Sequence, residues 1–163
     1  MPISLSGCIE TISNPNGRFK TLKDIYPEQN EDGLLQMHTA NRSVSFRVSY
    51  GKGRYILQCF PGNNANDRQK LADICNFVSL IDSPYLSCCR FLPEEMLVFD
   101  SRNNSSYTDV ILCTVPDATR LDNFIDRNWK HIDSPKLRQL IKGLAGLASW
   151  MSDNNFLHGR INN

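Results

Sequence analysis

Between residues 134 and 154 the apolar side chains Leu137, Leu140, Ile141, Leu144, Leu147, Ala148 and Met151 recur at steps of three and four. That spacing puts all seven on one side of an α-helix and predicts a helix over 135–154. Ser134-Pro135 reads as its start, a hydroxyl cap followed by a proline in the first turn, where a missing N–H costs nothing. No other feature constrains the fold as strongly. Burying a large aliphatic side chain is worth about 1.5–3 kcal/mol, so the chain must either cover this stripe itself or leave part of it for a partner.

The covering surface is a sheet. Ser43-Val44-Ser45-Phe46-Arg47-Val48-Ser49-Tyr50 alternates polar and apolar residues, the pattern of a half-buried strand. Gly51-Lys52-Gly53 is a tight turn, and Arg54-Tyr55-Ile56-Leu57-Gln58-Cys59-Phe60 returns. A short strand over 34–38 completes a three-stranded meander. Pro61-Gly62-Asn63-Asn64 breaks the chain before a helix over 67–80, capped by Asn66 or Asp67, with Leu71, Ile74, Cys75, Phe77 and Val78 on its apolar side. Strands over 86–92 and 96–99 follow, joined by Pro93-Glu94-Glu95 as a hairpin turn. Residues 101–106 form a polar loop, 108–115 a strongly apolar central strand, and 121–129 a short helix. Residues 1–33 are polar, with turn signals at Asn14-Pro15-Asn16-Gly17 and Asn30-Glu31-Asp32-Gly33. Phe19, Leu22, Ile25 and Tyr26 between them fit one helical turn or a short strand in a lead-in segment packed on the sheet. The expectation is an α+β fold: a five-stranded antiparallel sheet with the helix 67–80 packed on it. Its core should include Val48, Ile56, Leu71, Ile74, Leu97, Val110, Leu112 and Leu140.

Charge and composition exclude several classes of function. A net charge of +1 over 163 residues gives no field for nucleic acid or a membrane surface. The densest basic run, Lys136-Leu137-Arg138 with Lys142, reads as a solvated helix face. The six cysteines, Cys8, Cys59, Cys75, Cys88, Cys89 and Cys113, include no Cys-x-x-Cys pair, and adjacent Cys88 and Cys89 point to opposite faces of a strand. They read as reduced thiols, four of them small buried hydrophobes. His38, His131 and His158 lack metal-ligand spacing. Neither a secretory leader nor a membrane-length apolar run is visible, so a cytoplasmic protein is expected, with no metal and no cofactor.

Three antiparallel strands, a helix, two more strands, a connector and helices: this order resembles the small lobe of the protein-kinase fold, followed by the hinge and first helices of the large lobe. The resemblance spans 34–163, as a small lobe over 34–115 and the start of a truncated large lobe over 116–163. The segment 55–60 is similar to the third strand of kinases, and 110–117 to the fifth strand and hinge. Thr119-Arg120-Leu121-Asp122-Asn123-Phe124-Ile125 is similar to the helix after the hinge. Phe156-Leu157-His158-Gly159-Arg160-Ile161-Asn162-Asn163 resembles the entry to the catalytic loop. The resemblance implies a degenerate site. Gln58 stands where kinases place the phosphate-binding lysine, and Arg160, two residues after His158, stands where they place the catalytic aspartate. His38-Thr39-Ala40-Asn41, at the phosphate-covering loop, has no glycine. The helix 67–80 offers Asp67 and Asp73 but no glutamate.

Two functions follow. The first is a pseudokinase-like module without phosphoryl transfer that acts in protein interaction or scaffolding. Its interaction surface would be Leu137, Leu140, Ile141, Leu144, Leu147 and Met151, through self-association or capture of a protein partner. The alternative is a nucleotide-binding or kinase-related enzyme whose remaining parts lie downstream in a longer chain.

Overall fold

The computed structural model describes residues 4–40, 43–61, 64–81, 83–100, 102–115 and 121–156. The chain divides into two units, Met1–Pro116 and Asp117–Asn163. The first is α+β, built on a curled antiparallel sheet. It opens with a helix where the sequence predicts only a polar lead-in, α1 (Leu5–Ser13), capped by the Ser4 hydroxyl, which accepts the Gly7 N–H at 3.0 Å. Six strands follow: β1 (Ile25–Pro27), β2 (Met37–Ala40), β3 (Ser43–Tyr50), β4 (Gly53–Cys59), β5 (Cys89–Phe99) and β6 (Ser105–Thr114). The path across the sheet is β1-β3-β4-β6-β5, and β2 also pairs with β3. Because β1 takes residues 48–50 of β3 and β2 takes residues 43–46, the two share one edge, and the sheet is five positions wide. The short strand Ile25–Pro27 takes the strand alternative expected for the lead-in. The helix between β4 and β5 is α2 (Ala65–Leu80), capped by the Asn64 side chain rather than by Asn66 or Asp67.

Cross-strand partners point to the same side of a sheet, so the register sorts the two faces. On one face Val44, Phe46, Val48, Leu57, Cys59, Val110 and Leu112 join Cys8 and Ile12 of α1, with Met96, Val98 and Phe19, Leu22 and Ile25 of the lead-in, in one core. Gly7 is what lets α1 come this close: a Cβ there would stand 2.5 Å from the Phe99 carbonyl oxygen and 2.6 Å from Val98 Cγ1. The Thr11 hydroxyl donates to the Leu97 carbonyl at 2.8 Å. Of the expected core, Val48, Val110 and Leu112 are buried, and Ile56, Leu71, Leu97 and Leu140 are half-buried. Ile74 is corrected outright: it is 58% exposed, because Cys75 is the residue that α2 buries.

The expected hairpin turn at 93–95 is also corrected. β5 runs straight through it as one strand with a bulge between Leu92 and Met96. Glu94 takes the left-handed conformation, with φ 46°. The turn between β5 and β6 falls where the polar loop is expected, and there the Asp100 carboxylate accepts the N–H groups of Arg102 and Asn104, each at 2.8 Å. The bulge puts two successive residues, Glu95 and Met96, inside. Glu95, 2% exposed, is satisfied by the lead-in: its carboxylate accepts the N–H groups of Thr21 (2.7 Å) and Leu22 (2.8 Å) and the Thr21 hydroxyl (2.9 Å). A buried carboxylate is tolerated on such terms.

The second unit contains α3 (Leu121–Asn128), a 3-10 turn (Trp129–His131) and α4 (Ser134–Asp153). The α4 cap is Asp133, whose carboxylate accepts the Lys136 N–H at 3.0 Å; Ser134 is already helical. No residue of these three elements is buried.

Candidate functional site

The face of the sheet opposite α1 carries Gln58. Its register partners are Ser45 on β3 and Ile111 on β6, so it stands on β4, the middle strand of the sheet path. Ile56, Ile111 and Cys113 share this face by alternation. Gln58 is half-buried, and its Nε2 donates to the Ser43 hydroxyl at 3.1 Å. A neutral amide tethered to a neighbouring strand supplies no positive charge for a phosphate.

The acids of α2 do not turn toward Gln58. Asp73 accepts from Gln69 at 2.8 Å on the helix surface, and Asp67 sits in the first turn, its N–H on the Asn64 cap. The helix meets the sheet through a cation: Arg68 Nε lies 2.9 Å from Asp109 Oδ2. The other Asp109 oxygen accepts the N–H of Glu94 in the bulge at 2.8 Å. Asp109 thus ties α2 to the turn of chain where β5 bulges. Sequence reasoning missed it, since an acid inside an apolar strand gives no sign of its partner.

The expected phosphate-covering loop is corrected. His38, Thr39 and Ala40 are strand residues of β2, paired with Ser45, Val44 and Ser43. Ala40 faces Ser43, so 38–40 are paired strand, and Asn41 lies outside the described residues. His158 and Arg160 lie outside the described residues.

The cysteines also depart from the expectation of reduced thiols. Cys89 and Cys113 are direct cross-strand partners with Cα atoms 4.1 Å apart, and they form a disulfide. Their separation of 24 residues hid the pairing, which only the β5–β6 register reveals. Cys8, Cys59 and Cys75 are buried free thiols, and Cys88 is an exposed one. A hydrogen bond with Cys8, and then burial, push the Cys59 thiol well above its ordinary range; burial raises Cys75.

The predicted interaction residues all lie on α4. Leu137, Ile141 and Leu144 are 51%, 57% and 54% exposed. Leu140, Leu147 and Met151 are half-buried. Toward its C-terminal end the helix lines an open apolar groove of about 680 Å³ with Leu144, Leu147, Ala148, Met151 and Phe156. The rings of Trp150 and Phe156 stand 5.5 Å apart. Among the described residues no group of three or more metal-ligating side chains occurs, and no helix is long and apolar enough to cross a membrane. No protein-family model, no curated protein and no solved structure matches this chain.

Proposed function

We propose that this chain is a degenerate kinase-like module without phosphoryl transfer that works by binding protein, most simply a second copy of itself, through α4. The observation that carries the reading is the α4 stripe: a 20-residue helix with no buried residue and three large aliphatic side chains more than half exposed. Exposed apolar surface of this kind marks an interaction site. Self-association through one helix would give a two-fold arrangement, in which the same residues meet on both sides.

The first unit supports the loss of chemistry. Where a kinase would join a strand lysine to a helix glutamate, Gln58 is neutral and α2 has no glutamate. The ion pair between α2 and the sheet runs with the opposite polarity, a helix arginine on a strand aspartate. Replacing a cation by an amide next to a polyphosphate removes the attraction that would hold it.

Light scattering of the purified protein at high micromolar concentration tests the interaction reading. A dimer is expected, converted to monomer by Ile141→Gln with Leu144→Gln; a monomeric parent protein would sink it. Titration with ATP and magnesium tests the loss of chemistry. No rise in melting temperature is expected, whereas binding would stabilise the fold by mass action and favour the nucleotide-binding alternative.

A further inference from the structure

Three of the six cysteines meet at one end of the β5–β6 pair. Cys89, the first residue of β5, is bonded to Cys113, and Cys88 beside it carries an exposed free thiol. Both bonded cysteines are half-buried, which leaves the pair within reach of a small thiol from solvent. The other three are closed off, with Cys8 and Cys59 0% and Cys75 3% exposed. Reactivity toward thiols is therefore concentrated at this one end of the sheet.

The location gives the bond a consequence. Cys113 precedes Pro116, the last residue of the first unit, by three positions. Beyond Cys113 the strand hydrogen-bonds on both sides. The Thr114 N–H and hydroxyl lie on the Cys88 carbonyl at 2.9 and 3.4 Å, and the Val115 N–H on the Arg54 carbonyl at 3.2 Å. The Thr114 bonds depend on β5 and β6 staying in register at this end, which the cross-link enforces.

We propose that Cys89–Cys113 is a thiol-exchangeable clasp on the end of β6 that leads into the second unit, opened by low-molecular-weight thiols. In the exchange a thiolate attacks one sulfur of the pair. The S–S bond breaks, and its electron pair leaves on the other sulfur, which takes up a proton. A second thiolate then attacks the mixed disulfide and frees the remaining protein thiol. One protein disulfide and two external thiols become two protein thiols and one external disulfide. Opening the clasp loosens residues 113–115, while Val110 and Leu112 stay packed with Cys8 and Cys59 in the core on the other face.

Reduced glutathione is the probe, added to the native protein, followed by alkylation with iodoacetamide and peptide mapping. One alkylated cysteine, Cys88, is expected before glutathione, and three, Cys88, Cys89 and Cys113, after it. Amide hydrogen exchange over 113–115 should become on the order of tenfold faster on reduction, with Cys8 and Cys59 still unlabelled. Any of three results overturns the proposal: Cys89 and Cys113 labelled before glutathione, a bond that yields only after unfolding in denaturant, or reduction with no change in exchange at 113–115. Replacing both partners, Cys89→Ser with Cys113→Ser, should give the fast exchange without glutathione, and slow exchange there also counts against the clasp. If that variant does not fold, the series on the parent protein decides alone.

Discussion

The two ends of the described chain contrast sharply. The N-terminal helix α1 is nine residues long and buries Gly7, Cys8, Thr11 and Ile12; the C-terminal helix α4 is twenty residues long and buries none. By apolar content alone the ranking would be reversed, since α4 carries the longer stripe. Burial follows fit and not hydrophobic count. α1 has a glycine where the sheet comes closest, a threonine that finds a strand carbonyl, and a lead-in behind it that a buried carboxylate holds down. α4 has a wide aliphatic side of which Leu140, Leu147 and Met151 are only half-buried and no residue is fully buried. The lesson is that a stripe predicts a helix well and predicts its cover poorly.

The severest test of this contrast is Gly7→Ala. The new methyl would stand 2.5 Å from the backbone oxygen of Phe99, which cannot swing aside as a side chain can. Either α1 lifts or β5 shifts, at a cost of about 3 kcal/mol. Urea unfolding should show the midpoint falling accordingly. An unchanged midpoint would mean that α1 does not pack on the sheet in solution.

Next in size is Glu95→Ala. It removes the acceptor for two backbone N–H groups and one hydroxyl of the lead-in, and it leaves buried donors unpaired. A loss of about 2 kcal/mol is expected, along with faster hydrogen exchange at Thr21 and Leu22. Protection that survives at those amides would show that water or another group replaces the carboxylate.

How much of this was legible follows from where each signal is stored. The alternation at 43–50, the glycine turn and the return strand lie in adjacent residues, and the β3–β4 hairpin matches them nearly residue for residue. The stripe at 135–154 is equally local, and α4 spans it. What sequence reasoning missed depends on tertiary pairing. Ser4 does cap a helix, but Leu5–Ser13 is short and half polar, and its periodicity is plain only once Cys8 and Ile12 meet the sheet. Pro93 with two glutamates looks like a turn; it is a bulge because Asp109 and the lead-in hold both acids' surroundings in place. The Cys89–Cys113 bond and the Arg68–Asp109 pair join residues that only the strand order brings together. At the candidate site, the neutral Gln58 was readable from the chain; the reversed polarity of the α2 ion pair was not.

A smaller effect, and a pH-dependent one, comes from the far end of the lead-in. Arg54 donates to both oxygens of Glu28, at 2.6 and 2.7 Å. That hydrogen bonding, aided by the charges of Arg54 and Arg47, holds the Glu28 carboxyl below its usual range. A carboxylate depressed in the folded state contributes stability above its unfolded pKa and loses it as pH falls through the folded one. The contribution is therefore full at neutral pH and vanishes under acid. With Arg54 62% exposed the pair is worth about 0.5–1 kcal/mol. Glu28→Gln should lower stability by that amount at pH 7 and by nothing once the parent's Glu28 is protonated. A difference that persisted in acid would assign the effect to packing.

The smallest expected change in stability is also the one that bears on function. Ile141 and Leu144 are more than half exposed on α4, so replacing both with glutamine removes little buried surface, and glutamine has nearly the helix propensity of the residues it replaces. At a concentration where the protein is monomeric, the variant should unfold within about 0.5 kcal/mol of the parent. At high micromolar concentration the parent should gain stability through association and the variant should not, so the two curves separate as concentration rises. This concentration dependence is what distinguishes an interface from an ordinary exposed stripe. A large loss at low concentration would mean that these side chains are covered within a single chain, and the contrast between the two helices would collapse. Parallel curves at every concentration would leave α4 unburied and unpartnered, which would remove the basis for reading it as an interaction surface.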